Sequence, residues 1–224
     1  MINKEGKIIS KIILNDDYWD VYITSDAFLS LLGPVIENYY EETGGIIVGS
    51  IGRRWIDGEN RPAIVITSIF PSVTARITSG EWEPNLAAQK RLQGFAESFN
   101  LKILGEYHSH PDDTAELSDE DEEYIRESWK ELQKTSSDQI VDEEGKTFGW
   151  LELILRVKKE EYKKKRVSES KWWTPNESNK IRGKISIGEK FGFDITIGAF
   201  VYIPEDDDFY ELPIFSEICS SYER

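Results

Sequence analysis

The sequence predicts an α/β fold, a mixed β-sheet flanked by helices, and two features carry that reading. Runs of strand length rich in Val, Ile, Tyr, Phe and Trp recur from the first residues to the last third of the chain. Between them lie segments whose apolar residues return at the 3.6-residue period of an amphipathic helix.

Taken in order, Lys7–Leu14 and Tyr18–Ile23 read as an opening hairpin around Asn15-Asp16-Asp17. Ser25 is placed to cap a helix from Asp26 to about Tyr40, whose buried stripe is Phe28, Leu31, Leu32, Val35 and Ile36, with Gly33-Pro34 a point of kink or restart. Gly45–Trp55 and Arg61–Phe70 are strands joined through the turn dipeptide Asp57-Gly58. A second helix spans Asn85–Phe99 on Leu86, Leu92, Phe95, Ala96 and Phe99. It leads into a strand over Leu101–Tyr107, and a third helix over Leu117–Leu132 follows on Tyr124, Ile125, Trp129 and Leu132. Phe148–Val157 is a core strand and Phe191–Ile203 another long β segment. Pro71–Pro84 and Lys134–Thr147 read as insertions. Lys164–Lys190 is polar around Trp172-Trp173, and these aromatics are expected to serve packing of the C-terminal β segment over the sheet rather than a partner-binding patch. At 224 residues, the whole chain 1–224 is expected to be one domain.

A net charge of -15 argues against nonspecific nucleic-acid binding, so no nucleic-acid partner is expected and a basic protein partner would suit it. The exception is Lys158–Arg166, where six of nine residues are cationic; a solvated strand end or loop is the expected reading. The single cysteine, Cys219, excludes an internal disulfide and a thiolate zinc cluster. No apolar run approaches the ~20 residues of a membrane helix, and the N-terminus lacks a signal-peptide apolar stretch. The expected compartment is the cytoplasm, with no membrane partner.

The chain's two histidines both sit in His108-Ser109-His110, at the end of a predicted strand. Period 2 then puts both imidazoles on one face, several ångströms apart, a spacing suited to one metal ion. Imidazole nitrogens and carboxylate oxygens are standard zinc donors, and a catalytic site keeps one position open, so two histidines require a third protein ligand. Asp121, in the first turn of the third helix, is the best candidate, and the helix dipole favours a carboxylate there. Glu106, Asp112, Asp113 and Glu116 crowd the same region; they are expected to face solvent on the strand's other side and in the loop, with a supporting role for one of them. Ser118-x-x-Asp121 is also a helix-capping pattern, which is compatible with a second role.

Glu42, then Gly45-Ile-Ile-Val-Gly49, then Leu104-Gly-Glu-Tyr-His-Ser-His-Pro111, then Ser118 with seven residues between it and His110, then Asp121, resembles the JAMM motif of the JAB/MPN metalloproteases. The resemblance covers about residues 10–157; residues 158–224 would be a C-terminal β extension. It implies the three-layer architecture that the family shares with cytidine deaminases, and one Zn2+ per chain held by His108, His110 and Asp121. Glu42 would be the general acid/base and Ser118 would support the oxyanion. Glu42 is chosen over Glu41 because the family's glutamate stands three residues before the first glycine of the Gly-x-x-x-Gly strand. The implied reaction is hydrolysis of the peptide or isopeptide bond after the C-terminus of a ubiquitin-like protein. Small bacterial relatives often accompany activating (E1-like) and conjugating (E2-like) enzymes, in some cases in antiviral systems. Peptidase action on a sulfur-carrier protein and a non-catalytic MPN scaffold are the alternatives. A nucleobase deaminase is disfavoured, since it needs two further cysteine ligands and the chain has one cysteine.

Overall fold

The long apolar runs of the sequence become the central strands of one mixed sheet. The computed structural model describes residues 19–56, 58–78, 81–99, 101–135, 140–141, 147–164, 167–174 and 179–220. In chain order these form β1 (Asp20–Ile23), α1 (Ser25–Glu37), β2 (Gly44–Ile56), β3 (Glu59–Pro71), β4 (Arg76–Thr78), β5 (Glu81–Glu83), α2 (Leu86–Ser98), β6 (Lys102–Pro111) and α3 (Asp119–Thr135). They continue as β7 (Ile140–Val141), β8 (Thr147–Phe148), β9 (Trp150–Glu161), β10 (Glu169–Trp173), β11 (Ile181–Ile187), β12 (Phe191–Ile203), β13 (Asp208–Leu212), β14 (Ile214–Ser216) and α4 (Glu217–Ser220). The architecture is mixed α/β, with four helices among the described residues. No helix among these residues is long and apolar enough to cross a membrane.

The sheet runs β10-β11-β12-β9-β6-β2-β3-β1-β14, with β13 also on β12. β6 and β9 pair in parallel, as does β1 with β3 and β14, and the remaining ladders are antiparallel. The two insertions hold separate two-stranded pairs, β4 with β5 and β7 with β8.

Strand alternation divides the interior. Tyr107, Leu151, Leu153 and Leu155 point into the larger cluster, where Ala27, Phe28, Leu31, Leu32 and Val35 of α1 meet them. A second cluster joins Ile125 and Trp129 of α3 to Trp150 and Tyr202. Central strands buried on both faces explain why β9 reads as an almost unbroken apolar run.

Several expectations needed adjustment. Lys7–Leu14 lies outside the described residues, and the expected second hairpin strand is β1, whose neighbours β3 and β14 are both parallel. The cap of α1 is Thr24 rather than Ser25: its side chain accepts from the Ala27 amide at 3.4 Å, and the Ser25 hydroxyl instead donates to Glu217 Oε2 at 2.9 Å. The helix runs unbroken through Gly33-Pro34 and ends at Glu37. Between β2 and β3, Asp57 lies outside the described residues, while Gly58 has φ +81°, the left-handed conformation that a tight hairpin turn demands. α2 forms with Asn85 as its cap, yet Leu86, Phe95 and Phe99 stay exposed and only Ala96 is buried.

The polar stretch after residue 164 adds to the sheet edge as β10 and β11 instead of packing over it. Trp172 is buried with its ring edge-on to Phe28, centroids 4.8 Å apart, and a Cβ at its cross-strand partner Gly183 would collide with the indole. Of the basic run, Lys158 and Lys159 lie on the exposed end of β9 and Lys163 and Lys164 are exposed just beyond it, as expected of a solvated strand end, while Lys165 and Arg166 lie outside the described residues.

Candidate metal centre

β6 carries the centre on one of its two faces. Tyr107 turns into the core, while Glu106, His108 and His110 emerge together on the opposite face. Ser109, on the core side, is held at the strand's end: its amide donates to Thr43 O at 2.8 Å, and its hydroxyl accepts from the Thr43 amide at 3.0 Å.

Each imidazole uses Nδ1 to fix its orientation. His108 Nδ1 lies 2.9 Å from Glu152 Oε1, and His110 Nδ1 lies 3.0 Å from the Thr114 carbonyl. A carbonyl can only accept, so His110 Nδ1 carries the proton and its Nε2 presents a lone pair. Burial pushes the Glu152 carboxyl up while His108 works against that rise, and in its ionised form Glu152 accepts from His108 Nδ1 and leaves Nε2 for a cation. Both Nε2 atoms then face one point, 3.0 Å apart, with Asp121 Oδ1 at 3.2 Å from His108 Nε2 and Asp121 Oδ2 at 3.6 Å from His110 Nε2. Donors bound tetrahedrally to one zinc at 2.0–2.1 Å would stand about 3.3 Å from each other. The separations of 3.0 Å between the imidazoles and 3.2 Å from His108 to Asp121 Oδ1 lie near that value, and one ligand atom from each of the three residues lies within 4.8 Å of the others, so the donor set suits a single metal ion. Among the described residues these three side chains are the group able to hold a metal ion.

Electrostatics agree. Burial works against charge on His108, but hydrogen bonds to Asp121 and Glu152 outweigh it and push its pKa up to about 10. Burial and the neighbouring His108 charge push His110 down. Burial also works against ionisation of Asp121, yet His108 and the Ser118 hydrogen bonds hold its carboxyl well below the usual range. The pocket thus favours one positive charge shared by two imidazoles and a carboxylate.

Asp121 is presented by the first turn of α3, and Ser118 fixes it there. The Ser118 amide and hydroxyl donate to Asp121 Oδ2 at 2.8 and 2.7 Å, while the Asp121 amide donates back to Ser118 Oγ at 3.1 Å. This reciprocal capping box leaves Asp121 Oδ1 turned to His108.

The antiparallel register of β2 with β6 puts Gly44 opposite His108, and Thr43 bonds Ser109, so the chain carries Glu42 onward toward His110. Glu42 lines a cleft with Pro34, Thr43, Pro71 and Val73. Glu41 is exposed and accepts from Asn38 Nδ2 at 3.5 Å.

Glu106 departs from expectation. It is buried rather than in solvent, because the alternation that pairs the two imidazoles brings it to their face; it accepts from Gln89 of α2 and Tyr124 of α3. Burial, then the neighbouring Glu152, pushes its carboxyl up to about 8. Asp112, Asp113 and Glu116 lie exposed in the loop as expected. Glu152 was missed, although its signal was present: it is the one acidic residue inside the apolar run Trp150–Val157.

The family model described as prokaryotic homologs of the JAB domain matches residues 26–163, a stretch that contains Glu42, His108, His110, Ser118 and Asp121. A protein of Desulfitobacterium hafniense, known from its solution structure, is similar with 12% identity and a TM-score of 0.49, over 91% of this chain and 98% of that one. No curated protein matches the chain in sequence.

Proposed function

The chain belongs to the prokaryotic homologues of the JAB domain, and on that premise we propose that it is a zinc-dependent peptidase or isopeptidase that hydrolyses the amide bond after the C-terminus of a ubiquitin-like protein. The observation that carries the proposal is the convergence of His108 Nε2, His110 Nε2 and Asp121, each held from behind by a partner other than the metal. Without a metal, a proton on His108 Nε2 occupies the point where both imidazoles and Asp121 converge, and a bound cation would take its place.

His108, His110 and Asp121 would hold the ion. Zinc, when bound, supplies Lewis acidity to the attacking water and to the scissile carbonyl. Glu42 takes a proton from that water as the new C–O bond forms. It then delivers the proton to the amine nitrogen as the C–N bond breaks, leaving a carboxylate and a free amine. Ser118 turns its hydroxyl from Asp121 toward the developing oxyanion, a donor aimed where charge appears. The three-layer arrangement belongs to the same reading, with α1 over one sheet face and α2 and α3 over the other. So do a cytoplasmic location, association with E1-like and E2-like enzymes, and a place in an antiviral system.

The test is direct. Purified protein is expected to hold about one zinc per chain and to release the C-terminal partner from a fusion to a ubiquitin-like protein. Release should stop on chelation and in Glu42→Gln. Cleavage confined to sulfur-carrier fusions would transfer the activity to that substrate class. Zinc without cleavage of either class would make the chain a scaffold.

A further inference from the structure

The loop between β6 and α3 carries Thr114, whose carbonyl orients His110 at 3.0 Å. What seats this loop comes from the far end of the chain. Ala115 is buried, and its carbonyl lies against Gly198 of β12: a Cβ at 198 would stand 2.8 Å from that oxygen and 3.0 Å from a ring carbon of Phe200. Only glycine lets the loop backbone approach so closely. One residue further on, Glu116 pairs with Lys180 Nζ. Lys180 is only 9% exposed, with Glu211 also 3.8 Å from its ammonium and the Phe200 ring centroid at 5.9 Å. A lysine so buried is tied to its counter-charges, and Glu116 therefore holds the loop at a fixed place. Both Lys180 and Gly198 lie beyond residue 163, where the family match ends.

We propose that Lys180 and Gly198 are positioning residues of the metal centre, seating Thr114–Glu116 so that the Thr114 carbonyl fixes the His110 ring. The inference rests on the reading of His108, His110 and Asp121 as a zinc site. Gly198 sets how near the loop lies to β12, and Lys180 sets where along β12 it is held. Groups that orient a metal ligand from behind typically govern metal affinity by 10- to 100-fold. A contact one step further removed should act at the lower end of that range.

The experiment measures zinc affinity by competition with a chromophoric chelator, well below the melting temperature of each variant. Wild type, Lys180→Met, Glu116→Gln, Gly198→Ala and the double variant Lys180→Met/Glu116→Gln are compared. Each single variant is expected to bind zinc about tenfold more weakly. The double variant should be no weaker than Lys180→Met alone, since both changes release one tie. If Lys180→Met fails to fold, Glu116→Gln carries the test, because Glu116 is half exposed and its replacement leaves the core intact. Unchanged zinc affinity in Glu116→Gln and in whichever of the other variants fold overturns the inference, even where melting temperatures fall. A wild type that holds no zinc overturns the metal-centre reading itself, a result distinct from a zinc-loaded wild type whose variants match it.

Discussion

Glu152 stands 2.9 Å from His108 Nδ1, reaching it from the neighbouring parallel strand, and this contact determines which nitrogen of His108 faces Asp121. Glu152→Gln keeps the shape but can present either an oxygen or an NH2 to Nδ1, so the ring loses its fixed tautomer. The expected outcome is a folded protein whose zinc affinity falls between 10- and 100-fold, measured by chelator competition. Unaltered affinity would show that the contact is packing only.

Glu42 and Glu41 are adjacent in sequence and differ in surroundings, the first lining the cleft and the second accepting from Asn38. Glu42→Gln should keep its zinc and lose most turnover, because the change removes a proton acceptor and no ligand. Glu41→Gln should leave turnover close to that of wild type, because Glu41 is exposed and turned to Asn38. The reverse result in a fusion-cleavage assay shifts the register by one. His110→Ala removes a ligand and should abolish both zinc binding and cleavage.

For Ser118 the structure makes the cap explicit, with its amide and hydroxyl both on Asp121. Ser118→Ala should lower stability by about 0.5–2 kcal/mol through the lost cap, zinc affinity by about 10- to 100-fold through the lost hold on Asp121, and turnover at saturating zinc by on the order of 100-fold to 1000-fold through the lost oxyanion donor. Thermal melts, chelator competition and steady-state kinetics separate the three. Ser118→Asp sets a carboxylate against Asp121 and should also be inactive; an active Ser118→Asp would reduce Ser118 to its capping role.

Stability of the metal-free protein should depend on pH in a defined direction. Glu106, raised from 4.5 to about 8 by burial and Glu152, keeps a proton in the folded state that the unfolded chain has released. Its contribution to stability is therefore lost as pH rises from the unfolded value through about 8. His108, raised from 6.5 to about 10, acts in the same sense over a higher window, its contribution present below 6.5 and gone above about 10. Chelator-treated protein should melt at a lower temperature at about pH 9 than at about pH 6. Zinc-loaded protein should show less of this loss, since the ion replaces the proton on the imidazoles. A melting temperature that climbs over this interval in the metal-free protein would contradict the assignment.

The three candidate ligands His108, His110 and Asp121 could be read from the sequence because their geometry is local. Alternation puts His108 beside His110, and Asp121 sits in the first turn of a helix whose apolar period is plain. Glu152 and Lys180 could not be found that way, since each meets its partner over a separation of 44 and 64 residues, through strand order rather than periodicity. Parallel pairing of β6 with β9 and the extension of the sheet by β10 and β11 are long-range choices, to which the local pattern is blind. Glu106 illustrates a conflict between rules: its charge argued for solvent, the strand period argued for the imidazole face, and the period prevailed because Gln89 and Tyr124 satisfy the carboxyl there. The move of the α1 cap from Ser25 to Thr24 is a smaller case, two adjacent hydroxyls equally able to cap.

β6 is covered on both sides, Tyr107 entering the core that α1 closes and His108 and His110 facing Asp121 on the other. A slip of this strand by a single residue would rotate both imidazoles into the oily layer and swing the tyrosine into the ligand pocket. The candidate metal site and the core therefore cannot be assembled independently of one another. On the proposed zinc reading, uptake of the ion during refolding would serve as a clock for strand registration, reporting the moment at which β6 locks between β2 and β9.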